Sequence, residues 1–268
     1  MYDTFSDDYD RFVNWKDRLA GELPFIRSLL AAPAAGREVR VLDAACGTGM
    51  HAIALAQHGY TCAGADLSPA MIARARANAA AAGVVVSFSV AGFGALAAAF
   101  GGGFDALLCL GNSLPHLLTP EALAAALADF AVCLRPGGLL LIQNRNFDAV
   151  MASRQRWMEP QAYRQPALPS GGSGEAGGAA EWLFLRFYDF EPDGSITFNI
   201  VTLRRTGEAP WEQTVTGTRL RPLLHVEAVG ALQAAGFERI TAYGGLTAAA
   251  FDARSSGNLV LVAYKASS

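Results

Sequence analysis

A short apolar strand that runs into a glycine loop constrains this chain more than any other segment. Residues 39–42 (VRVL) are short and mostly apolar, which is typical of a strand buried on both faces of a parallel sheet. Asp43 ends this strand, and Gly47 and Gly49 then permit a tight turn and a ligand's close approach to the backbone. An alanine-rich helix pattern begins at once, so the N–H groups of its first turn face the same ligand. These residues predict the first strand, loop and helix of a doubly wound α/β domain.

The same alternation of strand and helix continues to about residue 149. We predict further strands near residues 60–65, 84–90, 104–110 and 139–143. Ser68 and Pro69 predict the start of a helix that ends at Gly83, and residues 119–121 (TPE) start another that ends at 134–138 (LRPGG). Because a crossover helix follows each strand, we expect an open, mostly parallel sheet.

Two segments depart from this alternation. Residues 1–38 have the apolar spacing of a helix, and we expect them to form a helical lid over a bound cofactor. Residues 150–219 contain a flexible Gly/Ser-rich loop at 170–178 and three strand-like runs without helices, which predicts an antiparallel β insertion that caps the substrate. The α/β core then comprises residues 39–149 and 220–268, with a helix near 226–235 and strands from 237 and at 259–265.

Composition and charge disfavour several classes of partner. The net charge is −3 and the 21 lysines and arginines form no block, which disfavours nucleic acid. The sequence contains no apolar run of 18 residues and begins with acidic residues, so we expect a cytoplasmic protein without a membrane partner. The four cysteines form no CxxC pair or metal-ligand spacing, which predicts reduced thiols and no metal site.

Polar residues follow the predicted strands at the edge where open α/β sheets bind ligands. Asp66 ends the second strand, 23 residues after Asp43, where a carboxylate can accept hydrogen bonds from ribose hydroxyls. Asn112 and His116 follow the fourth strand and Arg145 follows the fifth, so we expect them to converge. An arginine there suits a carboxylate, although Arg145 could instead pair with Asp148 or with an acid of the insertion. His116 lies among leucines, which favour a structural role equally.

The glycine loop by itself leaves the cofactor open. Residues 47–52 (GTGMHA) fit the dinucleotide fingerprint as well as an S-adenosylmethionine loop, because alanine is permitted at the third small position.

Three motifs in order resemble those of class I S-adenosylmethionine-dependent methyltransferases. They are residues 43–49 (DAACGTG), 65–71 (ADLSPAM) and 134–138 (LRPGG). The resemblance implies a mostly parallel, seven-stranded, Rossmann-like methyltransferase sheet that binds S-adenosylmethionine. It also implies that Asp43 supports the methionine end of the cofactor and that Asp66 holds the ribose.

Within that class, the chain is most similar to glycine and glycine/sarcosine N-methyltransferases. The matching segments are residues 15–18 (WKDR) with Glu22 and Phe25, the loop 43–49, 110–113 (LGNS) with His116, and 145–148 (RNFD). This likeness implies that Arg18 binds the cofactor carboxylate and that Asn112 and Arg145 hold the substrate carboxylate. The other residues that we expect at the cofactor are Tyr9, Trp15, Ala45, Gly47, Gly49, Leu67, Met71, Gly92, Phe93 and Leu110.

Two departures from these relatives leave the acceptor open. Gly92 stands where the family usually places a polar residue that reads adenine, and residues 219–225 (RLRPLLH) lack the tyrosines of the glycine methyltransferase substrate site. We therefore predict a methyltransferase that acts on a small molecule, with the nitrogen of an amine or amino acid as the leading acceptor.

Three alternatives remain at this point. The first is an O- or C-methyltransferase, in which His116 would be the base. Its insertion would form an apolar pocket from Trp157, Trp182, Phe184, Phe187 and Trp211. The second is a non-catalytic cofactor-binding module. The third is an NAD oxidoreductase, which fits the loop but not the later motifs.

Overall fold

A computed structural model describes residues 13–31, 38–166 and 179–267 of the chain. Its helices are α1 Trp15–Ala31, α2 Met50–Gln57, α3 Pro69–Ala82, α4 Leu96–Phe100, α5 Pro120–Cys133, α6 Phe147–Ser153 and α7 His225–Ala234. Its strands are β1 Arg40–Asp43, β2 Thr61–Asp66, β3 Ser87–Val90, β4 Phe104–Cys109, β5 Leu134–Arg145, β6 Gln161–Gln165, β7 Ala180–Phe190, β8 Ile196–Thr206, β9 Glu212–Leu220, β10 Phe237–Tyr243 and β11 Asn258–Lys265. The strands form two separate sheets.

The larger sheet has the mostly parallel order expected from the sequence. Its seven strands lie in the order β10-β11-β5-β4-β1-β2-β3. Strands β1 to β5 run parallel, whereas β11 is antiparallel to both β5 and β10. The chain proceeds outward from β1 to β3 and then resumes on the other side of β1 with β4. The point where β1 and β4 diverge is a topological switch point, where open α/β sheets bind ligands.

Apolar side chains cover both faces of this sheet, as a parallel sheet requires. Leu107, Leu140 and Leu261 point to the face covered by α5 and α7, where they pack with Phe130. Leu108, Leu141 and Val260 point to the opposite face, which α1, α2 and α3 cover. The predicted caps of α3 are confirmed: the Ser68 hydroxyl accepts the N–H of Met71 at 3.2 Å, and Gly83 takes a left-handed φ of 67°.

The turn predicted at residues 134–138 belongs to the start of β5. Leu134 already pairs with Phe104, and the register then shifts before Leu139 pairs with Ala106. A buried carboxylate anchors this irregular segment, because Asp105 pairs with Arg135 and accepts the backbone N–H of Arg40 at 2.9 Å. The strand therefore begins five residues before its apolar run.

The insertion contains a four-stranded antiparallel sheet in the order β6-β7-β8-β9. The three predicted strand runs correspond to β7, β8 and β9, although β9 extends to Leu220. Strand β6 was not predicted, because its residues (QAYRQ) are polar and mostly exposed at the sheet edge. Tyr188 and Ile196 of this sheet pack against Phe147 of α6, which joins the insertion to the end of β5.

Among the described helices, we find none that combines the length and apolar character needed to cross a membrane.

Candidate active site

A cavity of about 500 Å³ opens at the carboxyl ends of β1, β2 and β4. This volume lies in the range of small-molecule and cofactor sites. The residues around it are Trp15, Arg18, Asp43, Ala44, Ala45, Cys46, Gly47, His51, Asp66, Leu67, Met71, Ala91, Gly92, Phe93, Leu110, Gly111, Ser113, His116, Leu117 and Thr218. The cavity therefore reaches from helix α1 to strand β9 of the insertion.

The structure brings most of the predicted site residues to this cavity. All predicted cofactor contacts line it except Gly49 and Tyr9, and Tyr9 lies outside the described residues. Of the three predicted acceptor-site residues, His116 lines the cavity, whereas Asn112 and Arg145 are not among its lining residues. Eight lining residues were not predicted as individual site residues from the sequence: Ala44, Cys46, His51, Ala91, Gly111, Ser113, Leu117 and Thr218.

The glycine loop is held closed by its own hydrogen bonds. The N–H of Gly47 donates to Oδ2 of Asp66 at 3.0 Å, and the N–H of Gly49 donates to the carbonyl of Cys46 at 2.9 Å. Gly49 has a φ of 80° and stands directly before α2. A Cβ on Gly49 would lie 2.7 Å from Cζ of Phe88, so this glycine is required by packing on the far side of the loop.

Asp43 presents a buried carboxylate at the centre of the site. Its exposed fraction is 2%, and its Oδ1 has no hydrogen-bond partner among the described residues. Burial raises the pKa of Asp43 to about 6, and Asp66 adds to this effect, while His51, the N–H of Ala45 and Arg18 oppose it. A buried acceptor without a partner is costly, so this oxygen is suited to a cationic donor from a ligand.

Asp66 combines a structural role with a place in the cavity. Its Oδ2 accepts the N–H of Gly47, and its Oδ1 accepts the N–H of Ser68 at 2.9 Å. A carboxylate offers about four acceptor positions, so Asp66 can hold the loop and still accept hydroxyl groups from a ligand.

Residues 91–97, which comprise the loop after β3 and the start of α4, form the wall beside Asp66. Gly92 and Phe93 line the cavity, and Phe93 also packs edge-on against Phe130 at 5.4 Å. Leu67 is 77% exposed and faces this wall. Leu67 and the wall together offer apolar contacts to a flat ligand ring. The buried carboxylate of Asp129 fixes the loop, because it accepts the N–H groups of Gly94, Leu96 and Ala97 at 2.8–3.0 Å.

Helix α1 contributes two predicted residues and one contact that was not predicted. Trp15 and Arg18 line the cavity, and Nε of Arg18 donates to both oxygens of Glu22 at 3.1 and 3.2 Å. Glu22 also contacts Nε2 of His51 at 2.7 Å. His51 lies in the first turn of α2, directly after the glycine loop, so α1 is tied to this turn through the partly buried Glu22 and the buried imidazole of His51.

The loop after β4 is clamped by the end of β5. Asn112 has a left-handed φ of 67°, and its Oδ1 accepts the backbone N–H of Arg145 at 2.9 Å. Gln143 accepts the N–H of Gly111 at 2.8 Å with its side chain and that of Asn112 at 3.1 Å with its carbonyl. The predicted convergence of these two loops is therefore confirmed, with Asn112 acting on the backbone of Arg145.

The guanidinium of Arg145 forms no ion pair within residues 13–31, 38–166 and 179–267. Asp148, its predicted structural partner, instead accepts the N–H of His225 at 2.9 Å. Arg186 and Tyr188 of strand β7 lie near enough to Arg145 to share its electrostatic field. Burial raises the pKa of Tyr188 to about 12, although both arginines oppose the shift. The insertion thus places a second guanidinium near the one predicted.

His116 lines the cavity from a short 3₁₀ helix over Leu114–His116. Burial lowers the pKa of His116, so the imidazole is neutral at neutral pH. The N–H of Arg221, just after β9, donates to the carbonyl of Pro115 at 2.8 Å and ties the insertion to this helix.

The aromatic residues of the insertion do not form a pocket at this cavity. Trp182 and Phe184 are buried in the core of the smaller sheet. Trp157 packs on Phe187, with ring centres 4.8 Å apart, and Trp211 is 44% exposed. The apolar acceptor pocket that the sequence left open is therefore not observed at the cavity.

The four cysteines are free and buried, as the sequence predicted. Burial raises the pKa of both Cys62 and Cys133 to about 12. These thiols are therefore packed as small apolar groups rather than as nucleophiles.

Comparison with known proteins agrees with this geometry. Residues 41–138 match a family described as methyltransferase domain. The glycine/sarcosine N-methyltransferase of Parasynechococcus marenigrum (strain WH8102) is 37% identical over 147 residues, which are 55% of this chain and 51% of that protein. The chain thus spans about half the length of the curated relative it matches.

Two solved structures share the fold. An S-adenosylmethionine-dependent methyltransferase from Clostridium acetobutylicum ATCC 824 has a TM-score of 0.76 at 15% identity, with 99% of each chain covered. SAM-bound CalS10, an amino pentose methyltransferase from Micromonospora echinaspora, has a TM-score of 0.67 at 23% identity and covers 94% of this chain and 92% of its own. The sequence match and the fold agree: residues 41–138 match a methyltransferase domain, and the chain shares its fold and its seven-stranded, mostly parallel sheet with solved S-adenosylmethionine-dependent methyltransferases.

Proposed function

We propose that this protein transfers a methyl group from S-adenosylmethionine to the nitrogen of a small amine or amino acid. The observation that carries the proposal is the unpartnered, buried Oδ1 of Asp43 in a cavity that Arg18 also lines. An amino-acid group has an ammonium that suits this oxygen and a carboxylate that suits the guanidinium. The residues present therefore fit the methionine end of the cofactor.

The loop hydrogen bonds argue against a dinucleotide at the same place. Phosphate-binding loops leave backbone N–H groups free for the anion, but here Asp66 and the carbonyl of Cys46 take those of Gly47 and Gly49. Asp43 would also add a buried negative charge next to the phosphates. The proposed cofactor has a sulfonium and an amino-acid group in place of a pyrophosphate, and neither conflict arises.

The rest of the cofactor would extend along the cavity wall. Asp66 is placed to accept the ribose hydroxyls, and Leu67, Gly92 and Phe93 to enclose the adenine. Helix α1, with Trp15 and Arg18, covers the methionine end, and we propose that the amino-terminal segment acts as a lid there.

When bound, the sulfonium supplies an activated methyl group. The lone pair of the acceptor nitrogen would attack that methyl carbon, the electrons of the broken carbon–sulfur bond would return to sulfur, and the methylated nitrogen would then release a proton. For such a displacement, the protein mainly has to align the acceptor nitrogen, the methyl carbon and the sulfur, and to exclude water from the site. The neutral imidazole of His116 can accept a proton at the acceptor end of the cavity.

Arg145 is the proposed contact for a carboxylate on the acceptor. It has no ion-pair partner among the described residues, and Asn112 fixes its backbone. Asn112 then acts as a support, and its remaining amide group is available to the acceptor. The acceptor is a small molecule in this proposal, and a cytoplasmic location stays a prediction from sequence.

A methyl-donor assay over glycine, sarcosine, other amines and phenols tests the proposal. We expect turnover with amines that carry a carboxylate, and a loss of at least 100-fold in kcat/KM for Arg145→Ala. Arg219→Ala provides a control, because Arg219 pairs with Asp193 at an exposed hairpin of the insertion. Turnover confined to phenols, or full activity of Arg145→Ala on every accepted amine, would contradict the proposed acceptor.

A further inference from the structure

Three residues on one face of α1 form a closed cluster with His51. Trp15, Arg18 and Glu22 are spaced at i, i+3 and i+7, so they share a helix face. The Trp15 ring packs edge-on against the imidazole of His51, with ring centres 5.5 Å apart. The Arg18 guanidinium lies 5.1 Å from the centre of the Trp15 ring. Glu22 completes the cluster, because it binds both Arg18 and His51.

This cluster constrains the orientation of the Arg18 guanidinium. Glu22 takes the Nε–H of Arg18, and the two Nη groups make no hydrogen bond within the described residues. A guanidinium held through Nε keeps its Nη pair as a planar fork, which matches a carboxylate. Without Glu22, Arg18 would have several rotatable bonds free to turn the fork away.

The cluster is largely sheltered from water, so solvent only weakly screens the attraction of Glu22 to its two partners. The side chains of His51, Glu22 and Arg18 are 5%, 18% and 22% exposed. Burial acts to raise the pKa of Glu22, but hydrogen bonds and charges from His51 and Arg18 lower it overall, so Glu22 is ionised at neutral pH. The carboxylate therefore has a stable charge with which to hold its two partners.

We propose that Glu22 and His51 are positioning residues that orient Arg18 toward the carboxylate of the cofactor. This inference rests on the proposed function, since it requires a ligand with an amino-acid end. His51 holds Glu22 from α2, and Glu22 holds Arg18 on α1, so the first helical turn after the glycine loop sets the geometry of a residue on α1. Neither residue needs to touch the acceptor or the transferred methyl group.

Calorimetric titration of the full chain with two adenosine compounds tests this inference. S-adenosylhomocysteine has the amino-acid end, and 5′-methylthioadenosine lacks it. For Glu22→Gln we expect about tenfold weaker binding of S-adenosylhomocysteine and unchanged binding of 5′-methylthioadenosine. His51→Leu should behave like Glu22→Gln, whereas His51→Gln keeps a donor to Glu22 and should recover most of the affinity.

Matched controls and a double variant separate positioning from folding. Asp17→Asn alters an exposed acid on α1, and His58→Gln alters an exposed histidine just beyond α2, so both should bind like the wild type. In an Arg18→Gln background, Glu22→Gln should cause no further loss, because it acts through Arg18.

Each other outcome has a definite meaning. Tighter binding of S-adenosylhomocysteine by Glu22→Gln would show that Glu22 competes for Arg18, and additive losses would show that it acts independently. Equal weakening of both compounds would indicate a general structural role. Any of these results would overturn the inference while the wild type still bound S-adenosylhomocysteine. Failure of the wild type to bind it would instead refute the proposed cofactor.

Discussion

Replacing Asp43 with asparagine should stabilise the ligand-free protein and remove its affinity for the cofactor. In the wild type, burial raises the pKa of Asp43 from 3.8 to about 6. The unfolded chain thus ionises this group more readily than the folded one, and folded-state stability is lost as pH rises through this interval. Asparagine keeps the shape and an acceptor for the N–H of Ala45 but has no charge to desolvate.

The size of the effect follows from the shift in pKa. A shift of about 2 pH units in the pKa of Asp43 corresponds to a loss of about 3 kcal/mol in the free energy of unfolding. The wild type has the full loss above about pH 7 and roughly half of it at pH 5. Asp43→Asn should therefore exceed the wild type in free energy of unfolding by up to about 3 kcal/mol at pH 8. For a chain of this size, that difference corresponds to a rise in Tm on the order of 5–10 °C.

Thermal and urea unfolding at pH 5 and pH 8, with and without S-adenosylhomocysteine, measure this directly. The stability difference between Asp43→Asn and the wild type should grow by about 1–2 kcal/mol from pH 5 to pH 8. Saturating S-adenosylhomocysteine should stabilise the wild type but not Asp43→Asn, because the ammonium of the ligand neutralises the Asp43 carboxylate. A pH-independent difference, or ligand binding that is as tight in Asp43→Asn, would refute the assigned role of this carboxylate.

Three further changes test other parts of the structure. Gly49→Ala should lower the free energy of unfolding in urea by about 2–4 kcal/mol, because its Cβ would lie 2.7 Å from Phe88. Gly59→Ala is the control: Gly59 has a φ of 86° in open space, so its substitution should cost only about 1 kcal/mol. Equal losses of stability in the two variants would mean that the Phe88 contact is unimportant. Asp129→Ala should speed amide exchange in residues 92–97 and weaken the binding of S-adenosylhomocysteine several-fold, and unchanged exchange would contradict the anchoring role of Asp129. Native thiols should react with iodoacetamide at pH 8 at least 100-fold more slowly than unfolded ones, because burial raises the pKa of Cys62 and Cys133 to about 12.

The sequence was informative where local chemistry decides the structure. The strand before Asp43, the glycine loop, the caps of α3 and the alternation of strands with helices all follow from residue type and spacing. The start of β5 was harder to place, since Pro136 and Gly137 read as a turn but lie within the strand, at a shift in its register with β4. Strand β6 has a polar, exposed pattern that gives no strand signal.

Contacts between distant segments account for the rest of the site. Glu22 and His51 are 29 residues apart, and Thr218 reaches the cavity only through the insertion. Single-sequence patterns do not encode such pairings, although the position of His51 in the first turn after the loop was an available sign. Gly49 was assigned to the cofactor from the loop motif, but its immediate neighbour is Phe88. Arg186 had no motif at all, and only the fold brings it near Arg145.

Isothermal titration of the wild type with S-adenosylhomocysteine and with NAD distinguishes the proposed cofactor site from a dinucleotide site. The buried Oδ1 of Asp43 and the closed hydrogen bonds of the glycine loop predict one tight site for S-adenosylhomocysteine and no binding of NAD. Binding of NAD without binding of S-adenosylhomocysteine would show that the loop is a dinucleotide site.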